Sequence, residues 1–279
     1  MRRADFIGRS IMGALSFLKD SVFSEEYAQK TGLGQALDPR AKLLAVVLLL
    51  LAVLFSKNIS FLAGMYLACL LLALLSSVRL GFFLKRTWVF VPLFSLFVAL
   101  PALFDIVTPG EPIAVFKVLS FSLTITRQGA ASATLFFLRV LTSVSLCVLL
   151  VLTTRHYALL RVLRIFRVPQ VFVMTLGMCY RYIYLFIEMI QNTYMAVKSR
   201  VGYVSSVNKG HRVVAWNIAS LWQRSYHMHI DVYNAMLSRG YSGEPKVMDE
   251  PRLRPGDLLC LITAALILGL SLWQNRYLS

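Results

Sequence analysis

The chain has 279 residues, a formal net charge of +16 and 58% hydrophobic side chains, and its mean hydropathy is +0.67. Soluble domains average about 45–50% apolar residues, so this excess excludes an ordinary soluble fold and requires a non-aqueous solvent. The basic surplus is concentrated in the polar segments between apolar runs. Such a distribution is typical of the charge that orients a membrane protein, and we therefore expect no nucleic-acid partner.

Five apolar runs predict membrane-spanning helices. Each is close to the roughly 20 residues that cross a bilayer core of about 30 Å. The sequence therefore predicts an all-α membrane protein with about five transmembrane helices. In chain order the runs are 41–56, 60–78, 87–106, 130–154 and 257–275.

Basic residues predict the orientation, because they stay on the cytoplasmic side of the membrane. The 79–86 loop holds three basic residues and no acid, whereas the 105–129 loop is neutral. Segment 155–256 carries 14 Lys and Arg against five acids. We therefore expect a multi-pass protein of the inner (cytoplasmic) membrane with a cytoplasmic N-terminus. The predicted division is 1–39 as a cytoplasmic lead-in, 40–154 as a four-helix membrane region, 155–256 as a cytoplasmic coupling region and 257–279 as the last transmembrane helix.

The external loop contains "FSLTIT", in which apolar and polar residues alternate. This period of two is typical of a strand, so the sequence predicts a short hairpin there with a topological role.

Segment 155–256 predicts long helices that are not simple spans. Residues 155–168 are basic and amphipathic, and Pro169 interrupts them. Residues 170–201 begin apolar and become polar, which indicates a helix at or partly within the membrane face; a sixth span over 170–190 is the alternative. After a linker between Gly202 and Gly210, a second helix of roughly 40 Å is predicted from about 212 to 239. Its apolar residues recur at steps of three and four: Val214, Ile218, Leu221, Trp222, Tyr226, Ile230, Tyr233, Met236 and Leu237.

The string Ala-x-x-Ser-Arg occurs twice, at 196–200 and at 235–239. A glycine follows each arginine within two residues, and glycine suits the left-handed position after a helix. An arginine near a helix C-terminus is a common stabilising placement, but that does not explain a matched string. We interpret both copies as docking elements for two copies of one partner. The candidate residues are Ala196, Ser199, Arg200, Ala235, Ser238, Arg239 and Gly240.

Four motifs carry a resemblance to a known family. They are "LDPRAKLL" (37–44), "PGEP" (109–112), "YRY" (180–182) and "VYNAMLSRGYSG" (232–243), of which the last is the most specific. From about residue 37 to the end, the chain resembles the transmembrane T components of energy-coupling-factor (ECF) transporters. The likeness is strongest to the CbiQ-like branch of cobalt and nickel systems.

The resemblance implies an EcfT-like fold in which two cytoplasmic coupling helices end in short Ala-Arg-Gly-like triplets. In that family the triplets dock into two ATP-binding cassette ATPase subunits, and Arg200 and Arg239 fall at those places. The implied partners are the ATPase pair, identical or not, a small membrane substrate-binding component and the lipid bilayer. Both copies depart from the family pattern, since Ser199 and Ser238 stand where alanine is common and Val201 replaces the glycine. A vitamin importer is the alternative to cobalt or nickel.

The remaining candidate residues favour a non-catalytic subunit without cofactor or metal. No Walker glycine-lysine loop occurs, so ATP hydrolysis is expected in another chain. His227 and His229 are two residues apart, and such positions on a helix do not share a face. Arg139 lies inside the fourth span, where we expect it to hold a carbonyl or carboxylate across helices. An integral-membrane enzyme would need clustered acids, His or Cys; a scaffold without ATP coupling is the other distant alternative.

Overall fold

The structure is a computed structural model that describes residues 13, 32–88, 91–103, 112–118, 121–164, 168–201, 207–243 and 255–277. The chain divides into two compact units. We name them the core unit (Ser24–Leu159 and Pro251–Ser279) and the arm unit (Met1–Phe23 and Leu160–Glu250). The protein is an all-α membrane protein, as predicted, with one hairpin besides its helices in the described ranges.

The core unit is built mainly of helices. Its first elements are α1 (Leu33–Ala36), α2 (Pro39–Phe55), α3 (Ile59–Leu75), α4 (Leu80–Trp88), α5 (Val91–Ala99), the 3-10 turn Leu100–Leu103, β1 (Pro112–Val118), β2 (Phe121–Thr126) and α6 (Arg127–Thr153). The chain then passes through α7 (His156–Leu163) into the arm unit, which contains α8 (Gln170–Val201) and α9 (Val207–Ser238). It returns to the core unit for α10 (Pro255–Tyr277).

Polar side chains mark where the core helices begin. Asp38 Oδ1 accepts a hydrogen bond from the Arg40 N–H at 2.8 Å, and Pro39 occupies the first turn of α2. Thr126 Oγ1 accepts from the Gly129 N–H at 3.1 Å at the start of α6. Such caps satisfy N–H groups that the first helical turn leaves without partners. Proline is also favourable there, because it has no N–H to satisfy.

Four segments are long and apolar enough to cross a membrane by length and composition. They are Leu80–Ala99 (with residues 89–90 outside the described ranges), Arg127–Thr153, Gln170–Arg200 and Pro255–Arg276. The first two predicted spans correspond to α2 and α3, each of 17 residues, which is at the short end of the usual range. Helix α8 is itself long and apolar enough to cross a membrane. This observation agrees with the alternative of a sixth span over 170–190.

Two predicted boundaries are wrong. The predicted loop 79–86 is mostly helix α4, because its residues Phe83 and Thr87, one turn apart, are buried on one side. The second arm helix begins at Val207 rather than near 212, so Gly210 lies inside α9, where it is buried. A buried glycine is tolerated in a helix when tertiary packing outweighs its low helix propensity. Gly202, predicted to end the preceding helix, lies outside the described residues.

The interior of the core unit forms where α2, α3 and α6 meet. One buried cluster consists of Val53, Leu62, Met65, Cys69 and Leu146. A second, further along α3 and α6, consists of Ala73, Val78, Phe83 and Leu152. Large apolar side chains on α3 and α5 point outward, as expected for a lipid-facing surface; they include Leu71 on α3 and Leu93 and Phe97 on α5.

The hairpin in the predicted external loop is confirmed. Strands β1 and β2 are antiparallel, and Val118 pairs with Phe121 beside the turn. An irregularity interrupts the register between Pro112 and Ala114. The alternating "FSLTIT" sequence lies in β2, while the topological role of the hairpin stays a prediction.

Polar groups between the core helices have partners on neighbouring helices. Arg139 Nη2 donates a hydrogen bond to the Ser56 carbonyl at 2.7 Å, which confirms the prediction that Arg139 holds a carbonyl across helices. Ser271 Oγ donates to the Ala52 carbonyl at 2.8 Å. Both contacts reach the last turn of α2, so α6 and α10 are each tied to the same helix end.

We expect Leu146→Ala to destabilise the core unit, because Leu146 is 1% exposed between three helices. In soluble protein cores a buried Leu→Ala change costs about 2–5 kcal/mol, part of it from the cavity left behind. Leu71→Ala is the matched control, since Leu71 is 60% exposed on α3. Thermal unfolding of the purified protein in detergent should show a lower midpoint for Leu146→Ala only. Equal midpoints for the two variants would contradict this packing.

Candidate functional site

The C-terminus of α9 is closed by a Schellman motif. Gly240 has a φ of +80°. The Gly240 N–H donates to the Leu237 carbonyl at 2.9 Å, and the Tyr241 N–H donates to the Met236 carbonyl at 3.0 Å. These are the two terminal hydrogen bonds of the motif, whose left-handed position favours a residue without a Cβ. The prediction that Gly240 ends the helix and leaves Arg239 at its tip is confirmed.

The serine of each copy donates to a carbonyl of its own helix, three residues back in the first copy and four residues back in the second. Ser199 Oγ donates to the Ala196 carbonyl at 2.9 Å, and Ser238 Oγ donates to the Asn234 carbonyl at 2.9 Å. Each hydroxyl therefore uses its one proton within its own helix. The side chain before each arginine is therefore small, and its hydroxyl proton is already used within the helix.

All seven candidate docking residues are exposed in the structure. Those of the first copy lie in the last turns of α8, and those of the second lie at the end of α9. Every one of these side chains or glycine positions faces solvent: Ala196, Ser199, Arg200, Ala235, Ser238, Arg239 and Gly240.

The structure separates the two arginines instead of bringing them together. The Tyr241 hydroxyl lies 3.1 Å from Met174 Sδ, so the end of α9 is beside the beginning of α8. Arg200 is at the opposite end of α8. At 1.5 Å per residue, the distance along α8 from Met174 to Arg200 is about 39 Å. The arm unit therefore presents two similar tips far apart.

Helix α9 also presents an uncovered apolar face within the arm unit. Seven of its nine predicted apolar positions are exposed, and Trp222 reaches 79%. These residues recur every three or four positions and so form one continuous stripe along the helix. The exposed members are Val214, Ile218, Trp222, Tyr226, Ile230, Tyr233 and Leu237.

Sequence reasoning missed a buried polar cluster in the core unit. Lys42 Nζ donates to the Thr153 carbonyl at 3.1 Å, and the Asp38 N–H donates to Asp257 Oδ1 at 2.7 Å. Asp38 had drawn attention only as part of the "LDPR" motif. The sequence did contain a signal for this cluster: each of two apolar runs carries a charged residue near its start, Lys42 in run 41–56 and Asp257 in run 257–275. Such charges are costly unless they are paired.

Two histidines of α9, His227 and His229, contact the neighbouring Tyr226. His229 Nδ1 lies 2.6 Å from the Tyr226 carbonyl, and the His227 and Tyr226 rings meet edge to face with centroids 6.1 Å apart. Among the residues that the structure describes, no group of three His, Cys, Asp or Glu side chains is placed to hold a metal ion.

Comparison with known proteins identifies the family. The model of the CbiQ family, described as cobalt transport protein, matches residues 33–249. The chain belongs to the CbiQ family of cobalt transport proteins. It is also similar to an uncharacterised protein of Methanocaldococcus jannaschii, with 34% identity over 274 residues that cover 96% of this chain and 91% of that protein. A second uncharacterised protein of the same organism is 25% identical over 221 residues, which cover 76% of this chain and 78% of that protein.

This membership agrees with the architecture described above. The CbiQ family match extends over most of the core unit and over both long arm helices. The chain is accordingly a membrane component of a transport system, with several helices apolar enough to cross the bilayer.

We expect Gly240→Ala to loosen the tip of α9, because its positive φ is unfavourable for any residue with a Cβ. Gly177→Ala in α8 is the matched control. A Cβ at either position would meet no atom within 4 Å, so the two variants differ mainly in backbone conformation. Hydrogen exchange at the amides of Gly240 and Tyr241 measures the effect. Their exchange should accelerate in the Gly240→Ala variant and stay unchanged in the control; unchanged exchange in both would contradict the motif.

Proposed function

We propose that the chain is the transmembrane coupling component of an ECF-type ABC importer. In this role it transmits the movement of two ATPase subunits to a small substrate-binding protein in the membrane. The supporting observation is the pair of exposed arginine tips, Ala196 to Arg200 and Ala235 to Arg239, which lie far apart on one unit. A separation of roughly 40 Å fits two copies of one partner, each of which takes one tip.

The chemistry of each tip suits a protein groove. Arginine offers five donors in a rigid fork that matches carboxylates and carbonyls. The alanine one turn before it and the serine directly before it are small, so a partner surface can approach the helix backbone closely. At Arg239 the Schellman motif holds the tip in one conformation, which reduces the conformational entropy lost on docking.

The two long helices provide the means of transmission. Helices α8 and α9 have 32 residues each, or about 48 Å. ATP binding closes the ATPases and product release opens them, so tips anchored in the two ATPases move toward or away from each other. The exposed apolar face of α9 offers the membrane partner a surface through which this motion reaches it. The chain itself need not contact the substrate.

Family membership favours cobalt as the transported ion, with nickel as the related possibility. The runner-up is a vitamin importer that uses the same kind of coupling component with a different binding protein. The membrane protein that co-purifies with the chain distinguishes them. A vitamin-binding partner would exclude the metal assignment, and a chain active alone would favour an integral-membrane enzyme.

We propose that the arm unit faces the cytoplasm and that the protein resides in the inner membrane with its N-terminus inside. The basic residues of segment 155–256 support this orientation. A cytoplasmic arm unit is also required for contact with ATPases.

Cysteine labelling tests this orientation. A cysteine at Ser205, between α8 and α9, should react with an impermeant maleimide only after the membrane is opened. A cysteine at Ser122 in β2 should react in intact cells, because the hairpin is expected outside. Labelling of Ser205→Cys in intact cells would contradict the proposed topology.

Arg239→Ala should reduce affinity for the ATPases at least tenfold, and Arg200→Ala should do so to a smaller extent. Truncating a desolvated, hydrogen-bonded charge at an interface costs about 2–5 kcal/mol. The Schellman motif that follows Arg239 holds its backbone in one conformation. We therefore expect Arg239 to contribute more than Arg200 to the affinity for the ATPases. Co-purification with the ATPases and uptake of radioactive cobalt measure both effects. The double variant should abolish uptake.

Arg224→Ala is the control. Arg224 is exposed in the middle of α9, so this substitution removes one positive charge at a position far from both tips. Arg239→Lys should restore docking poorly, since lysine lacks the planar fork. Wild-type uptake and co-purification in the double alanine variant would contradict the docking role. The repeated motif would then serve only to end two helices.

A further inference from the structure

Three helix ends meet at the buried polar cluster of the core unit. Helices α2 and α10 begin there, and α6 ends there. Lys42 and Asp38 are each 7% exposed and Asp257 is 1% exposed. The Asp38 N–H donates to Asp257 Oδ1 at 2.7 Å, and Lys42 Nζ donates to the Thr153 carbonyl at 3.1 Å. We call these four residues the base clamp.

Each charge in the base clamp matches the helix end beside it. A helix N-terminus carries a partial positive charge and a C-terminus a partial negative charge. The carboxylates of Asp38 and Asp257 lie at the N-termini of α2 and α10. The ammonium of Lys42 binds the last carbonyl of α6, that of Thr153. Each charged group of the base clamp is therefore placed beside a helix end of opposite partial charge.

Beyond the base clamp, α2 and α10 stay in register. The Asp38–Asp257 and Ser271–Ala52 hydrogen bonds join residues with the same sequence separation, 219. The two helices therefore run parallel from one bond to the other without slipping. Held at both ends, they behave as a single two-helix element.

The segment before α2 packs against the C-terminal ends of α3 and α6. Gln35 Nε2 donates to the Ser76 carbonyl at 2.9 Å. A Cβ on Gly34 would lie 2.3 Å from Ser76 Oγ and 3.0 Å from Thr153 Cγ2, so this close approach needs glycine. The ends of α3 and α6 are thereby fixed against the chain that leads into α2.

The chain passes between the arm unit and the core unit at three places, and the base clamp lies near the last two of them. It leaves the core unit between Leu159 and Leu160, shortly after Thr153, and it re-enters between Glu250 and Pro251, shortly before Asp257. The base clamp joins α6, which precedes α7 and the first of these connections, to α10, which follows the second. Without it, α6 and α10 could separate at this end under a force applied to the arm unit.

We propose that Lys42, Asp38 and Asp257 are positioning residues that hold together two attachment points of the arm unit, the one after α6 and the one before α10, so that movement of the arm tips is passed on instead of being lost in separation of α6 from α10. This inference rests on the proposed coupling function. It assigns to the "LDPR" segment and to Asp257 a part in transmission, remote from the ATPase-docking tips.

Lys42→Met in the complete transporter tests the proposal. Methionine keeps an unbranched apolar side chain but leaves two carboxylates without the ammonium and the Thr153 carbonyl without its donor. We expect the ATPases to co-purify as in wild type and to hydrolyse ATP, while cobalt uptake per ATP falls roughly tenfold, within the range of coupling between distant sites. Lys42→Arg should recover most of the uptake. Lys57→Met is the matched control, because Lys57 is exposed in the turn after α2.

A distance measurement tests the base clamp without reference to transport. Spin labels on Arg155→Cys and Leu258→Cys, both exposed in the core unit, would be placed in a background whose native cysteines are replaced by alanine. The distance between them should be narrowly distributed in the parent and in Lys57→Met, and should broaden toward longer values in Lys42→Met. Asp257→Asn, which keeps an oxygen acceptor for the Asp38 N–H but removes the charge, should broaden it as well.

The outcomes separate failure of this inference from failure of the proposed function. If the parent protein binds no ATPases, the coupling function is wrong, and the label distances still test the base clamp. If Lys42→Met and Asp257→Asn leave both the distance distribution and uptake per ATP unchanged, the clamp is overturned while coupling stands. If the label distances broaden but cobalt uptake per ATP stays normal, the base clamp has no part in transmission.

Discussion

The need to satisfy every polar group away from water governs the core unit. Hydrocarbon offers no hydrogen bonds to backbone groups, so spanning segments must be helical and remaining polar groups must find partners in the protein. Arg139, Ser271 and Lys42 meet this requirement in the same manner, by donating to a carbonyl of another helix near its end. These contacts act together with apolar packing, because van der Waals contacts and interhelical hydrogen bonds both drive helix association in lipid.

The arm unit follows a different rule. Its two long helices leave much of their apolar surface exposed, as Trp222 and Tyr226 illustrate. Exposed apolar area of this extent on a non-spanning helix marks an interaction surface. The tips, by contrast, are polar and small, and the Schellman motif defines the conformation of the one at Arg239. One unit therefore carries two kinds of surface, an apolar face along α9 and cationic helix ends.

In the candidate site, some features depend only on neighbouring residues in the sequence, and others depend on contacts between distant residues. The Schellman end at Gly240 is predictable, since glycine after a helical stretch that ends in arginine satisfies purely local geometry. The separation of Arg200 from Arg239 is not, because it depends on the contact between Tyr241 and Met174, which are 67 residues apart. The repeated string therefore predicts two docking elements but says nothing about the distance between them.

The same division holds for the whole chain. Hydrophobic runs, capping residues and the alternating "FSLTIT" string determined most helices and the hairpin, because each depends on neighbours within a few positions. The start of α9 and the helix over 80–88 escaped prediction, since Gly210 is buried inside its helix and Phe83 is buried against the distant Leu152, which local signals do not reveal. Only the tertiary structure brought Asp38, Lys42 and Thr153 together with Asp257. The free energy of a buried charge depends on which groups surround it, and residues more than 200 positions apart become neighbours only through folding.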